Sequence, residues 1–299
     1  MIGGKGKLGS GRDRRIVLKS EDEVARMRRA GQVLALTLDR LTESAVAGVT
    51  TLELDQVAEA TIRSFGAIPT FYRLYDYPAH ICVSINDEVV HGIPGSRVLR
   101  RGDIVSFDVG VTVDGMIADA AVTVGIGPIS SEAEQLVRVT REALFKGIEQ
   151  ARPGQRVLDI SAAIQRHAEA HGYSPVRKLV GHGVGREMHE PPHIANFVDR
   201  DPNGSPELVP GMTLAIEPMV NEGTWQVVQD ADGWTYRTKD RSLSAHFEHT
   251  IAVTEQGNEI LTLRHAPGGG EVPERRQDRA DRSLGVASEG ETHESAIIG

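Results

Sequence analysis

The chain, 299 residues long, contains an internal repeat. The segment GVTTLELDQVAEATIRSFG (48 to 66) aligns without a gap on GQRVLDISAAIQRHAEAHG (154 to 172) at an offset of 106, matching Gly48 with Gly154, Leu52 with Leu158, Glu53 with Asp159, Leu54 with Ile160 and Gly66 with Gly172. Both copies read as an amphipathic helix closed by glycine. Each follows a longer amphipathic segment that opens on a capping box, Ser20 with Glu23 in the first and Ser131 with Glu134 in the second. In such a box the hydroxyl and the carboxylate satisfy amides that the helix start leaves free. Strands rich in β-branched residues follow each helix pair. A chain with this order twice over is constrained to an α/β (α+β) fold of two pseudo-symmetric halves.

The strands place acids at corresponding points. RGDIVSFDV (101 to 109) and PGMTLAIEP (210 to 218) each run from a glycine turn through alternating apolar residues to one acid, Asp108 or Glu217. MIADAAVTV (116 to 124) and AHFEHTIAV (245 to 253) carry Asp119 and Glu248. The Asp114-Gly115 pair is a type I′ turn signal, and a two-residue loop there sets Val105, Phe107, Val109, Val111 and Val113 opposite Val124, Val122, Ala120, Ala118 and Met116. One face is then wholly apolar, as a fixed register requires. On the other face Asp108 lies opposite Ala121, with Asp119 a diagonal neighbour at about 7–8 Å. For this hairpin alone, one solvated surface acid is the simpler reading. Adding Glu217, Glu248 and His182, which sits between Gly181 and Gly183, favours two divalent ions about 3.5–4 Å apart, since buried like charges need a cation between them.

HEPPH (189 to 193) spells the zinc signature H-E-x-x-H, which works only on a helix. Pro191 and Pro192 exclude a helix there, at about 3 kcal/mol each. A net charge of −9 argues against a body built to hold DNA or RNA. No apolar run reaches the length of a membrane span. The single cysteine, Cys82, allows no intramolecular disulfide and fits a reducing cytoplasmic setting. Residues 1–15 form a glycine-rich basic arm and 266–299 a charged tail without aromatic residues, both expected to be disordered around one catalytic domain at 16–265.

These motifs resemble the type I methionine aminopeptidases of peptidase family M24. The likeness covers nearly all of residues 16–264 and rests on SINDEVVHGIP, GDIVSFDVGVTVDGMIADAAVTV, GHGVGREMHEPP, LAIEPMV and DGWTYRTKDRSLSAHFEHTIAVT. The resemblance implies the pita-bread fold, in which two halves share a curved, mainly antiparallel sheet with helices on its outer face. It implies two divalent ions (cobalt, manganese, iron or zinc), with Asp108 on one, His182 and Glu217 on the other, and Asp119 and Glu248 bridging. It makes His91 and His189 catalytic and substrate-binding: His91 near the terminal amine and scissile nitrogen, His189 on the scissile carbonyl oxygen. Glu217 shuttles the proton of a metal-bound water. His193 is expected at the rim. Tyr77, Cys82, Met188 and Trp234 occupy positions lining the methionine pocket. Met188 stands where phenylalanine is common, and Phe71 and Leu74 also depart from the family pattern, which bears on tolerance of the second residue.

The implied substrate is the initiator methionine of nascent chains whose second residue is small, and the implied enzyme is a monomer in the cytoplasm. The basic arm is a candidate for transient ribosome contact. Two other readings compete. A prolidase-like relative acting on Xaa-Pro bonds would usually carry a separate amino-terminal domain, for which the roughly 90 residues before His91 leave no room. A non-catalytic module would be expected to have lost ligands, and all five are present.

Overall fold

The computed structural model describes residues 15–198 and 205–264, so the expectations for the arm and the tail fall outside the described residues. Helix α1 (Glu21–Ser44) opens on the expected capping box: Glu23 N–H donates to Ser20 Oγ at 3.3 Å, and Ser20 N–H donates to Glu23 Oε2 at 2.9 Å. Its buried stripe is Met27, Ala30, Gly31, Leu34, Leu38 and Leu41, at the spacing that turns one helical face inward. Gly31 is required by close approach, because a Cβ there would lie 2.0 Å from the Leu261 carbonyl oxygen.

The repeat is reproduced in three dimensions. Helix α2 is Thr51–Ser64, α3 is Ser131–Ile148 and α4 is Val157–Ala170; both ends of α4 are those of α2 moved by 106 positions. The N-terminal carboxylates match too, Thr50 N–H donating to Glu53 at 2.8 Å and Arg156 N–H to Asp159 at 2.7 Å. The second long helix departs from expectation. Its cap is Ser130, whose Oγ accepts from Ala133 N–H at 3.2 Å, and no Ser131–Glu134 box forms. Ile129 packs against the cluster containing Ala133 and Leu136, which fixes the chain's entry one residue earlier.

The strands Ile104–Val113 and Met116–Gly125 pair in the expected register, from Ile104 with Gly125 to Val113 with Met116. Asp114 (φ 49°) and Gly115 (φ 74°) make the turn, both in the left-handed region that type I′ needs. Cys82–Ile85 and Ile68–Pro69 flank the first of these strands. In the second half Thr213–Ile216 lies between His249–Thr254 and Val180–Gly183, with Gly257–Ile260 and Glu190–Ala195 at the edges. The expected mainly antiparallel sheet is present, as two larger sheets joined through backbone hydrogen bonds and accompanied by two three-stranded ribbons. They meet where Ala121 and Glu248 exchange backbone hydrogen bonds of 3.3 and 3.0 Å. AHFEHTIAV is correspondingly two strands, Ser244–His246 and His249–Thr254, with Phe247 and Glu248 at the junction. The apolar face of the hairpin, Val105, Phe107, Val109 and Val111, is fully buried in the main core with Leu34 and Leu38 of α1. Each such side chain contributes roughly 1.5–3 kcal/mol, and together they hold the acid-bearing face rigid.

Candidate metal centre

Asp108 and Asp119 project from the hairpin, and His182 from Val180–Gly183. Glu217 follows Thr213–Ile216 and Glu248 precedes His249–Thr254, so the two glutamates face one another at the next position of that register. All are buried except Glu217, whose side chain is 14% exposed. Donor atoms of Asp119, His182 and Glu248 lie within 4.8 Å of one another. His182 Nε2 is 3.8 Å from Asp119 Oδ2 and 3.5 Å from Glu217 Oε1. Asp108 completes the group beside Asp119, as the pairing of Asp108 with Ala121 dictates.

Backbone contacts aim these groups. The Thr250 hydroxyl accepts from Asp119 N–H at 2.8 Å and donates to Asp119 C=O at 2.7 Å. His182 Nδ1 is 2.9 Å from the Gly183 carbonyl oxygen. A carbonyl only accepts, so the hydrogen sits on Nδ1 and the Nε2 lone pair faces the carboxylates. Gly183 permits this, since a Cβ there would lie 2.3 Å from the Pro191 carbonyl oxygen.

The electrostatics are those of a site short of positive charge. Burial pushes the Asp108 carboxyl up to about 7. Asp119 is raised by burial and then by Glu248 and Asp108, Glu217 by burial and then by Asp119 and Asp108, and Glu248 by burial and then by Glu217 and Asp108. Among the described residues, only histidines come within ion-pair distance of these four acids. Asp108 Oδ1, Asp119 Oδ1 and Glu248 Oε1 are buried without a hydrogen-bond partner from the protein. Burial, with His189 nearby, pushes His182 down to about 3, so its imidazole is neutral. Convergent carboxylate oxygens and one neutral imidazole form a donor set that fits hard or borderline divalent cations.

The surrounding residues divide by role. The rings of His189 and His182 are 4.5 Å apart between centroids, and Tyr75 covers His189 at 5.9 Å. His91, edge-on to Tyr236, is pushed down to about 4 by burial and by His189. His189 is pushed down by burial and by His193. Both are therefore neutral N–H donors at neutral pH. Tyr77, Cys82 and Met188 share one apolar cluster with Phe71, with Trp234 and Leu74 packed against it. Trp234 meets Tyr77 edge-on at 5.0 Å, and the Tyr77 hydroxyl donates to the carbonyls of Gly92 (2.9 Å) and Ile81 (3.2 Å). Burial and Asp108 push the Cys82 thiol up, which disfavours the thiolate that a nucleophile needs.

HEPPH is not helical; Glu190–Ala195 is a strand and His193 is exposed. Its glutamate has a structural task that sequence reasoning missed: Glu190 forms a buried ion pair with Lys19 and accepts from the Arg186 and Glu187 amides at 2.7 and 3.0 Å. His246 was missed as well. It is buried, its Nε2 is 3.7 Å from Glu217 Oε2, and burial pushes it down to about 3. The alternation His246, Glu248, Thr250 is the signal that could have found both it and the Thr250 clamp.

The sequence model of metallopeptidase family M24 matches residues 25–255. The chain belongs to this family. Within M24 it is 52% identical over 248 residues to a methionine aminopeptidase of Clostridium perfringens, covering 83% of this chain and 99% of the relative. The crystal structure of methionine aminopeptidase from Rickettsia prowazekii superposes with a TM-score of 0.81 at 43% identity, covering 83% of this chain and all of that one. An Xaa-Pro dipeptidase from Bacillus anthracis gives a TM-score of 0.63 at 23% identity and shares the fold alone; this M24 chain spans 63% of its length.

Proposed function

We propose that this M24 enzyme removes the amino-terminal methionine from peptides and nascent proteins whose second residue is small, using Asp108, Asp119, His182, Glu217 and Glu248 to hold two divalent ions. The observation that carries the reading is the juxtaposition of this donor set with an apolar cluster of Tyr77, Cys82 and Met188, against which Trp234 packs and in which Cys82 pairs with Asp108 across the strands, supported by relatives named methionine aminopeptidase. These apolar and aromatic side chains suit an unbranched thioether, which packs well on aromatic edges. A bound divalent ion supplies positive charge for a carbonyl oxygen and acidifies water toward neutral pKa. Glu217, at the edge of the buried group, accepts the proton of the attacking water and returns it to the leaving amine. His189 Nε2–H or Nδ1–H donates to the scissile carbonyl oxygen as charge develops there, and His91 holds the nitrogen side of the bond.

In this reading the catalytic unit spans 16–265 and works as a monomer in the cytoplasm, where its substrates emerge, and the basic arm is a candidate for transient ribosome contact only. No helix among the described residues is long and apolar enough to cross a membrane. The test is hydrolysis of Met-Ala-Ser, Ala-Pro-Ser and Ala-Ala-Ser by protein stripped of metal and then given manganese or cobalt. Metal-dependent release from the first alone is expected; cleavage of the proline peptide alone would replace this reading with a prolidase-like one. Glu217→Ala is expected to abolish turnover, and His189→Ala to lower kcat by about 10²–10³ with metal still bound.

A further inference from the structure

A second group of metal-ligating side chains lies on the helices of the second half. His167 is in the last turn of α4 and His171 caps that helix, four positions on, so the two imidazoles share one face. Their ring centroids are 4.6 Å apart. Facing them from α3 is Glu142, whose Oε2 is 3.1 Å from His167 Nε2. One donor atom from each of the three lies within 4.8 Å of the others. The repeat does not demand histidines here: at an offset of 106 the corresponding residues on the α2 side are Thr61 and Phe65.

We propose that Glu142, His167 and His171 bind a transition-metal dication of the zinc, nickel or copper class, clamping α3 to α4 independently of the carboxylate centre. His171 Nδ1 lies 2.8 Å from the His167 carbonyl oxygen and so carries the hydrogen, which leaves its Nε2 lone pair for the metal. Arg138 donates to Glu142 Oε1 at 2.9 Å, which holds the carboxylate and leaves Oε2 turned to the imidazole. Bonds of about 2.0–2.1 Å around a tetrahedral ion put donors a little over 3 Å apart. The Glu142–His167 pair already has that separation, and a donor atom of exposed His171 lies within 4.8 Å of both. Two imidazoles with one carboxylate favour nickel, copper or zinc over manganese or magnesium, which prefer all-oxygen sites.

The test uses tag-free, full-length protein kept in excess manganese, with nickel(II) as the probe in equilibrium dialysis. Wild type is expected to retain one more nickel ion per chain than His171→Ala. Glu142→Gln is expected to bind that ion at least about tenfold more weakly, and nickel to raise the Tm of wild type above that of His171→Ala. Peptidase activity with manganese is expected to be equal in wild type and His171→Ala, and equal Tm values without nickel check that the exposed substitution leaves the fold intact. Any nickel entering the carboxylate centre does so in every variant, so the difference isolates the helical site. The same nickel stoichiometry and the same Tm rise in wild type and His171→Ala would overturn the proposal.

Discussion

Replacing Lys19 with methionine tests how the segment carrying His189 is held. Lys19 and Glu190 pair with side chains 1% and 6% exposed, across 171 positions of sequence. Gly185 leaves room for the lysine stem, since a Cβ there would lie 2.3 Å from Lys19 Cε. Methionine keeps most of that packing and removes the charge, leaving Glu190 with only the Arg186 and Glu187 amides. Removing one partner of a buried pair costs about 3–5 kcal/mol, and at about 2–4 °C per kcal/mol for a domain of this size the Tm falls by roughly 6–20 °C. The added substitution Glu190→Gln removes the stranded charge while keeping an acceptor for both amides, so the double variant is expected to be more stable than Lys19→Met alone. Urea unfolding of wild type, both single variants and the double variant gives the cycle, and kcat reports on His189 and Met188. A cost below about 1 kcal/mol for Lys19→Met, or a double variant no more stable than the single, would refute the assignment of the pair as the lock.

Three further outcomes are expected. Glu23, held down to about 2 chiefly by its hydrogen bond from Arg186, stabilises the fold above its ordinary pKa near 4.5, and that contribution disappears as pH falls toward 2. The stability gap between wild type and Glu23→Gln is therefore about 1 kcal/mol at pH 7, mostly from the half-exposed pair with Arg186, and closes between about pH 4.5 and 2 in denaturant titrations. Thr250→Val leaves the Asp119 amide and carbonyl without their shared partner; it is expected to cost about 1–3 kcal/mol by urea unfolding and to weaken metal binding by calorimetry. Gly183→Ala forces a Cβ against the Pro191 carbonyl, so a reduced Tm together with lost activity is expected, and wild-type behaviour would mean the strand can shift without cost.

Much of the centre was legible because short-range rules governed it. The Asp114-Gly115 turn and strict alternation left one register for the hairpin, and that register places Asp108 beside Asp119. The helical repeat was legible because both copies carry an acid at the third helical position, Glu53 or Asp159, and a closing glycine, Gly66 or Gly172. What was missed depends on contacts far apart in sequence. Nothing near Glu190 points to Lys19, and the cap expected at Ser131 falls on Ser130, next to Ile129, which packs against the cluster holding Ala133 and Leu136. The break in one strand was hidden for a similar reason: AHFEHTIAV has an unbroken strand pattern, and its interruption at Phe247 and Glu248 falls where the chain docks against Ala121.

That docking also sets when the enzyme comes into being. Asp108 and Asp119 are translated early, while Glu248 arrives some 130 residues later and takes its place only by hydrogen-bonding across to Ala121. A chain ending just short of this carries Asp108, Asp119, His182 and Glu217 but lacks the fifth donor, Glu248. The last member of the acid group is thus set in place only when the second half of the chain has met the first.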